Sequence, residues 1–278
     1  MKKIAAFILS IALLATPFQS TIAFSMKETM SDLFDKLKWE KTFQESLELK
    51  EKISPNTQIV ISNLKGDITI KTWNRNEVLA KISRKGSESA YDATKVSARL
   101  HGDTFTLLTL PVSKDDAKLA EKCTVTYDLL IPKNAVIHSV TTNNGKITIN
   151  GTNGSVVARS QRGNIDLENI SGGARVHTKY GSISIKAQEV DSKHTILAVS
   201  EHGNIHVKVP KTLKDANIVA RTKKGTVTSE LAITTTKTMK INRKTIAQSS
   251  KEISGTIGKG GTNIKLETAN GNIKLITS

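Results

Sequence analysis

From Val140 onward the chain alternates apolar and polar residues with period 2 on both sides of a recurring glycine. With Gly145, Gly163, Gly181, Gly203, Gly225 and Gly271 each set to position 0, position −5 is Val140, Ala158, Val176, Ala198, Ala220 and Leu266. Position +2 is Ile147, Ile165, Ile183, Ile205, Val227 and Ile273, and position +4 is Ile149, Leu167, Ile185, Val207 and Leu275, with Ser229 the one departure. Position −3 is a small hydroxyl residue every time: Thr142, Ser160, Thr178, Ser200, Thr222 and Thr268. Alternation of this kind marks a strand with one buried face. Each unit therefore predicts two short strands meeting at a glycine corner, with −5, −3, +2 and +4 facing inward and the glycine adopting a positive φ.

A degenerate copy precedes the array: Ile59 and Ile61 lie before Gly66, Ile68 and Ile70 after it, and Asn63 stands where the hydroxyl residue is expected. Successive corners from Gly145 are 18, 18, 22, 22 and then 46 residues apart, so a unit between Gly225 and Gly271 is hidden, inserted or lost, and residues 232–262 are the least regular stretch. Two architectures share this pattern, a solenoid of coils and a meander of hairpins. Tight hairpins favour Asn-Gly or Asp-Gly, yet only Asn144-Gly145 and Asn270-Gly271 comply, against Arg-Gly, Tyr-Gly, His-Gly and Lys-Gly elsewhere. The corners therefore favour an all-β fold, a β-solenoid resembling a parallel β-helix, built from 18- to 22-residue repeats whose coils stabilise one another by stacking.

The pattern sets boundaries. Lys2 and Lys3 followed by the apolar run Ile4–Ala15, with Ala23 and Ser25 at −3 and −1 of a cut before Met26, read as a signal peptide over residues 1–25. Residues 26–56 form a lead-in that contains a short amphipathic helix over 26–40, with Met30, Leu33, Phe34 and Leu37 at i, i+3, i+4 and i+7. Such a helix would cap the stack or bind a partner. Residues 57–278 form the repetitive domain, irregular over 57–133 and regular over 134–278. Further strands are expected at Glu77–Ser83, Thr104–Leu110 and Thr124–Ile131, with a loop or short helix at Ser113–Ala120. After the leader, no apolar stretch approaches the roughly 20 residues of a membrane helix.

The opening unit Ile59–Trp73 (IVISNLKGDITIKTW), the segment Val125–Pro132 (VTYDLLIP) and the hydroxyl and glycine repeats that follow resemble, in that order, a family of bacterial candidate-adhesin domains of unknown function related to the head GIN domains. The resemblance covers most of the chain after the leader. It implies a β-solenoid, an extracytoplasmic and often surface-associated setting, and no catalytic residues.

Charge then narrows the functional question. Residues 26–140 carry 18 basic and 16 acidic side chains, whereas residues 141–278 carry 21 and 9, so the repeat half holds nearly all the excess. A basic exported surface attracts polyanions such as acidic polysaccharide or lipopolysaccharide. The candidate contacts are Arg159, Arg162, Arg175, Lys179, Lys208, Arg221, Lys223 and Lys224, with Lys146 and Lys186 nearby in the pattern. Tyr180 is the only aromatic residue after position 140, which leaves electrostatics, not a stacking platform, to carry such binding.

Other chemistries are weaker. Asp166 and Glu168 flank the inward Leu167 and point outward together, as the acid and base of a polysaccharide-active β-helix enzyme would. A solvated strand face reads the same way. His177, His194, His202 and His206 crowd the repeats without metal-ligand spacing, Gly260-Gly261 lacks the acidic residues of a calcium repeat, and the lone Cys123 has no base beside it in sequence. No cofactor motif occurs. The expected function is a non-enzymatic, exported binding module of the periplasm, cell surface or medium, with two alternatives: a structural or sensing domain that binds protein through the solenoid ends, and a polysaccharide-active enzyme.

Overall fold

The structure is a computed structural model that describes residues 42–190, 193–235 and 251–278. The leader and the helix expected over 26–40 lie outside the described residues. The chain enters along β1 (Thr42–Lys52) and forms β2 (Gln58–Lys65) and β3 (Ile68–Trp73) around Gly66. Next come β4 (Glu77–Ser87), a helical turn at Glu88–Asp92, β5 (Thr94–His101), β6 (Thr104–Pro111), a second helical turn at Ala117–Ala120 and β7 (Thr124–Pro132). The regular array is a series of strand pairs: β8 (Val136–Asn144) with β9 (Ile147–Asn150), β10 (Val156–Arg162) with β11 (Ile165–Ile170), β12 (Ala174–Tyr180) with β13 (Ile183–Ala187), β14 (Thr195–His202) with β15 (Ile205–Val209), and β16 (Ala216–Lys224) with β17 (Val227–Ser229). The chain closes with β18 (Thr234–Thr235), β19 (Glu252–Ile257), β20 (Thr262–Asn270) and β21 (Ile273–Thr277).

At each corner glycine the chain passes from one sheet to the other. The first strand of every pair joins a front sheet and the second a back sheet, and neighbouring coils pair in parallel. This is a two-sided β-solenoid. The inward positions −5, −3, +2 and +4 are buried between the sheets in every coil, Ser229 included. Position −7 belongs with them: Val156, Ala174, Ile196, Ile218 and Ile264 are buried too. Each of the buried Val, Leu and Ile side chains contributes about 1.5–3 kcal/mol.

The hydroxyl at −3 has a defined partner. Thr142, Ser160, Thr178, Ser200, Thr268 and Thr222 donate to the carbonyls of Gly66, Gly145, Gly163, Gly181, Gly203 and Gly271, each the corner glycine of the preceding coil, at 3.4, 3.2, 3.0, 2.9, 2.9 and 2.8 Å. On the other side of the corner, position +1 carries a second ladder. Asp67, Asn164, Ser182, Asn204 and Asn272 each accept the backbone N–H at +1 of the next coil, at 2.7–3.2 Å. Asn63 does the hydroxyl's work in the degenerate coil: its Nδ2 donates to the Val125 and Gly66 carbonyls, while its Oδ1 accepts from Thr109.

The expectation of a positive φ at every corner does not hold. Gly145 and Gly181 lie outside that region, while Gly66 is at φ +120° and Gly225 at +143°. What the corners share is proximity. A Cβ on any of Gly145, Gly163, Gly181, Gly203, Gly225 or Gly271 would stand 1.9–2.1 Å from the carbonyl oxygen of the glycine stacked beneath it.

The 46-residue spacing hides no missing coil. In space, β20 lies between β14 and β16, and β21 between β15 and β17, so the last coil in sequence is not the last in the stack. Gly203 N–H donates to the Asn270 carbonyl and Gly271 N–H to the Lys224 carbonyl, both at 2.9 Å. To reach that slot the chain leaves β19, which runs antiparallel along the far side of β16. It then crosses the start of β16 on Gly258-Lys259-Gly260-Gly261, where the Lys259 N–H donates to Asp215 Oδ1 at 2.7 Å. Gly258 (φ +58°) and Gly260 (φ +78°) are left-handed, and a Cβ on Gly258 would stand 2.3 Å from the Lys214 carbonyl.

The other end is built likewise: β7 lies between β3 and β4, parallel to the first and antiparallel to the second. At the first end both sheets finish in antiparallel strands, β4 with β1 and β5, and at the far end the front sheet does so with β19 and β18, while the back sheet ends in β17, parallel to β21. Such strands stop a parallel ladder from propagating. Phe43 and Leu47 on β1 and Leu100 on β5 remain exposed at the first end.

Candidate functional site: a cationic face on the front sheet

Strand alternation places −6, −4 and −2 on the outer face of the front sheet. On β10 and β12 these positions and the neighbouring −1 carry Arg159, Arg162, Arg175, His177, Lys179 and Tyr180. The register sets Arg159 beside His177, Val157 beside Arg175 and Arg162 beside Tyr180, with the strands about 4.8 Å apart. Arg159, Arg162, Arg175 and Lys179 are exposed, and none forms an ion pair among the described residues. No carboxylate occurs on β8, β10 or β12. Like charges on adjacent strands repel, so the three arginines are held together by the backbone ladders and the core beneath, while Lys179 stands level with Glu201 on β14, since Thr178 and Tyr180 pair with Ser200 and His202.

Tyr180 forms a border to this cluster. Its ring stacks on His202 of the next coil at 4.9 Å and 9°, with Lys179 Nζ 5.6 Å from its centre. Asn270, one coil further, brings its Nδ2 to 2.9 Å from His202 Nδ1. Sequence reading found Tyr180 but not its partner, because side chains at the same position of successive coils are neighbours only through the stack.

The other expected contacts do not join the cluster. Lys208 follows its corner glycine and lies on the outer face of the back sheet, the opposite side of the molecule. Arg221, Lys223 and Lys224 are on β16, separated from β12 by β14 and β20, which bring Glu201 and Glu267. Arg221 Nε is committed to Glu252 at 3.2 Å. Arg221 and Lys223 line a cleft of about 480 Å³ together with Val199, Ala269 and the carboxylates Glu201, Glu252 and Glu267.

On the back sheet, Asp166 pairs with Lys146 and Glu168 with Lys186, each at 2.7 Å. These hydrogen bonds raise both lysines above their ordinary range. The two carboxylates are thus each paired with a separate lysine. His206 lies on this sheet beside Lys274, Lys186 and Lys208, and burial together with those charges holds it below the usual histidine range. His202 and His206 lie on opposite sheets, and among the described residues no three His, Cys, Asp or Glu side chains converge. Cys123 is buried, which pushes its thiol up and away from thiolate chemistry.

A two-sheet β-solenoid with glycine corners, hydroxyl staples and a cationic outer face defines a class of stacked-coil scaffolds. The chain belongs to the Toastrack DUF4097 family, whose model matches residues 57–276. Solved structures with a similar chain path include a candidate cell adhesion protein from Clostridium sporogenes, 12% identical over 84% of this chain and 100% of its own, with a TM-score of 0.43. Another is a candidate adhesin from Bacteroides fragilis, 11% identical over 84% and 97%, with a TM-score of 0.34. No curated protein matches the chain. No helix among the described residues is long and apolar enough to cross a membrane.

Proposed function

We propose that this Toastrack chain is a non-enzymatic, exported binding module, of the periplasm, cell surface or medium, that engages anionic polysaccharide through the front sheet. The observation that carries this reading is the quartet Arg159, Arg162, Arg175 and Lys179, gathered on two adjacent strands without a carboxylate. A linear polyanion lying across the coils meets cations on both strands, and binding releases its counterions. The commitment of Asp166 and Glu168 to lysines supports binding over glycan cleavage.

Retention on heparin and on lipopolysaccharide resin, eluted with NaCl, tests this. Arg159→Gln combined with Arg175→Gln weakens binding about fivefold per cation removed, whereas Arg221→Gln, already paired with Glu252, shifts elution little. Elution of the unaltered protein well below physiological salt would sink the proposal, as would equal shifts for the two variants.

A second reading has its own observation: Phe43, Leu47 and Leu100 are exposed at one end of the stack, where a structural or sensing domain would take a protein partner. Crosslinking in cells that returns only monomer removes it.

A further inference from the structure

The edge of the stack opposite the glycine corners, where back-sheet strands end, carries a hollow of about 640 Å³. Trp73 at the end of β3, Lys133 after β7, Asn150 at the end of β9, Asn169 in β11 and Gln188 after β13 contribute to its lining, and no acidic residue does. With Asn74 beside Trp73, successive coils thus bring one indole, one ammonium and four amides to a single concavity.

Several of its backbone groups are already bonded. Gly151 N–H donates to the Glu168 carbonyl, Gln188 N–H to the Ile170 carbonyl and Lys133 N–H to the Trp73 carbonyl. The Gly151 carbonyl accepts from Thr72 Oγ1 at 2.6 Å. The side-chain amides are therefore what the hollow offers. Asn169 sits where the β11–β13 register slips between Glu168 and Ile170, a bulge of the kind that re-aims a side chain. At φ +53° it is the one non-glycine residue with a positive φ among the described residues, a conformation asparagine tolerates better than most. Its Nδ2 donates to Asn150 Oδ1 at 3.0 Å. That bond leaves Asn150 Nδ2 as a donor and Asn169 Oδ1 as an acceptor on neighbouring coils, with both groups of Gln188 one coil further. The indole is fixed by Nε1–H donating to the Glu77 carbonyl at 2.9 Å, with Arg75 5.0 Å from the ring.

We propose that this hollow, whose strands from β3 to β13 span about 14 Å, is a saccharide subsite that takes an oligosaccharide containing a ring that bears a carboxylate. Hydroxyls on adjacent ring carbons both donate and accept, which matches amides that present one of each. The indole packs the apolar C–H surface of the ring, and Lys133 pairs with the carboxylate. A nucleic acid base is the poorer fit, since one indole already shared with Arg75 provides no sandwich and the amides outnumber a base edge. The subsite is built from the ends of back-sheet strands, whereas the cationic quartet lies on the outer face of the front sheet, and the subsite does not depend on it.

The test uses the full chain with Trp39→Phe, so that Trp73 is the remaining tryptophan, titrated with trigalacturonate, chitotriose and uridine monophosphate. Emission and calorimetry are both read, so that a silent indole is not mistaken for absence of binding. Trigalacturonate is expected to saturate. Asn169→Ala and Gln188→Ala each weaken it about fivefold, the loss of one hydrogen bond. Lys133→Gln weakens it similarly while leaving chitotriose unchanged. Arg159→Gln with Arg175→Gln leaves the titration intact, which separates this subsite from the front-sheet reading. No saturable signal by either method, equal binding of uridine monophosphate, or indifference to both Asn169→Ala and Lys133→Gln overturns the proposal.

Discussion

Replacing Gly181 with alanine isolates the reason for the corner glycines, because its backbone is not left-handed and alanine could adopt it. The obstacle is the next coil: the new Cβ stands 2.1 Å from the Gly163 carbonyl oxygen and 2.6 Å from its carbon, against a floor of about 3.0 Å for real contacts. Relief requires the two coils to separate by nearly 1 Å at the corner, where Thr178 Oγ1 holds the Gly163 carbonyl at 3.0 Å and the Gly163 N–H meets the Tyr180 carbonyl at 2.9 Å. Overpacking of this kind costs about 1–3 kcal/mol, and stretching these bonds adds about 1 kcal/mol, so a loss of about 3 kcal/mol is expected. Gly86→Ala is the control: its Cβ meets only ordinary contacts at 3.4 Å and its φ is unremarkable. It should be neutral or slightly stabilising, because alanine restricts the unfolded chain. Urea unfolding followed by far-ultraviolet circular dichroism measures both. If Gly181→Ala falls within 1 kcal/mol of Gly86→Ala, close stacking is not why glycine is there.

Thr178→Val keeps the shape but removes the donor to Gly163, and should cost about 1–2 kcal/mol, while Thr178→Ser, which keeps the hydroxyl, should recover most of it in the same unfolding assay. Tyr127 is buried with its hydroxyl 2.5 Å from that of Thr109, and burial pushes its ionisation up to about 12. A raised acid pKa gives stability that is complete below the unfolded value near 10 and is lost as pH rises from about 10 to 12. The unaltered protein should therefore weaken by a few kcal/mol over that window, and Tyr127→Phe should flatten the slope, as read by urea midpoints against pH. Ending the chain after Gly261 removes the strands between β14 and β16 and between β15 and β17. Limited proteolysis should then cut within residues 210–235, and a peptide of residues 262–278 should restore protection; protection without the peptide would contradict the inserted order.

What the sequence revealed follows from what period 2 encodes. Alternation reports which face a residue takes, so the inward set was readable at every regular coil, and Arg159, Arg175 and Lys179 were correctly turned outward. It extended one step further than read, to Val156 and its equivalents at −7. It does not report which sheet that face belongs to. Lys208 looked equivalent to Lys179 because both are outward, yet one follows its glycine and the other precedes it, and the corner sends them to opposite sides. Pairing across chain-distant strands was equally silent: nothing near Arg221 in sequence announces that β19 turns back to bring Glu252 beside it.

Strand order is the deeper gap, and it bears on where function can be read with assurance. Any unit of this pattern fits any slot, because +2 and +4 are nearly the same residues throughout, so the sequence holds no preference for placing Gly271 after Gly225 instead of before it. The crossover that decides the order rests on Gly258 and Gly260 passing over Lys214 and Asp215, a signal visible only as two left-handed glycines beside an overlong spacing. From Gly145 to Gly203, by contrast, chain order and spatial order coincide. The quartet on β10 and β12 and the amides of Asn150, Asn169 and Gln188 all lie on those coils. A search for equivalent sites in related chains should therefore compare coils by their place in the stack, since beyond Gly203 residues a fixed number of positions apart no longer stand side by side.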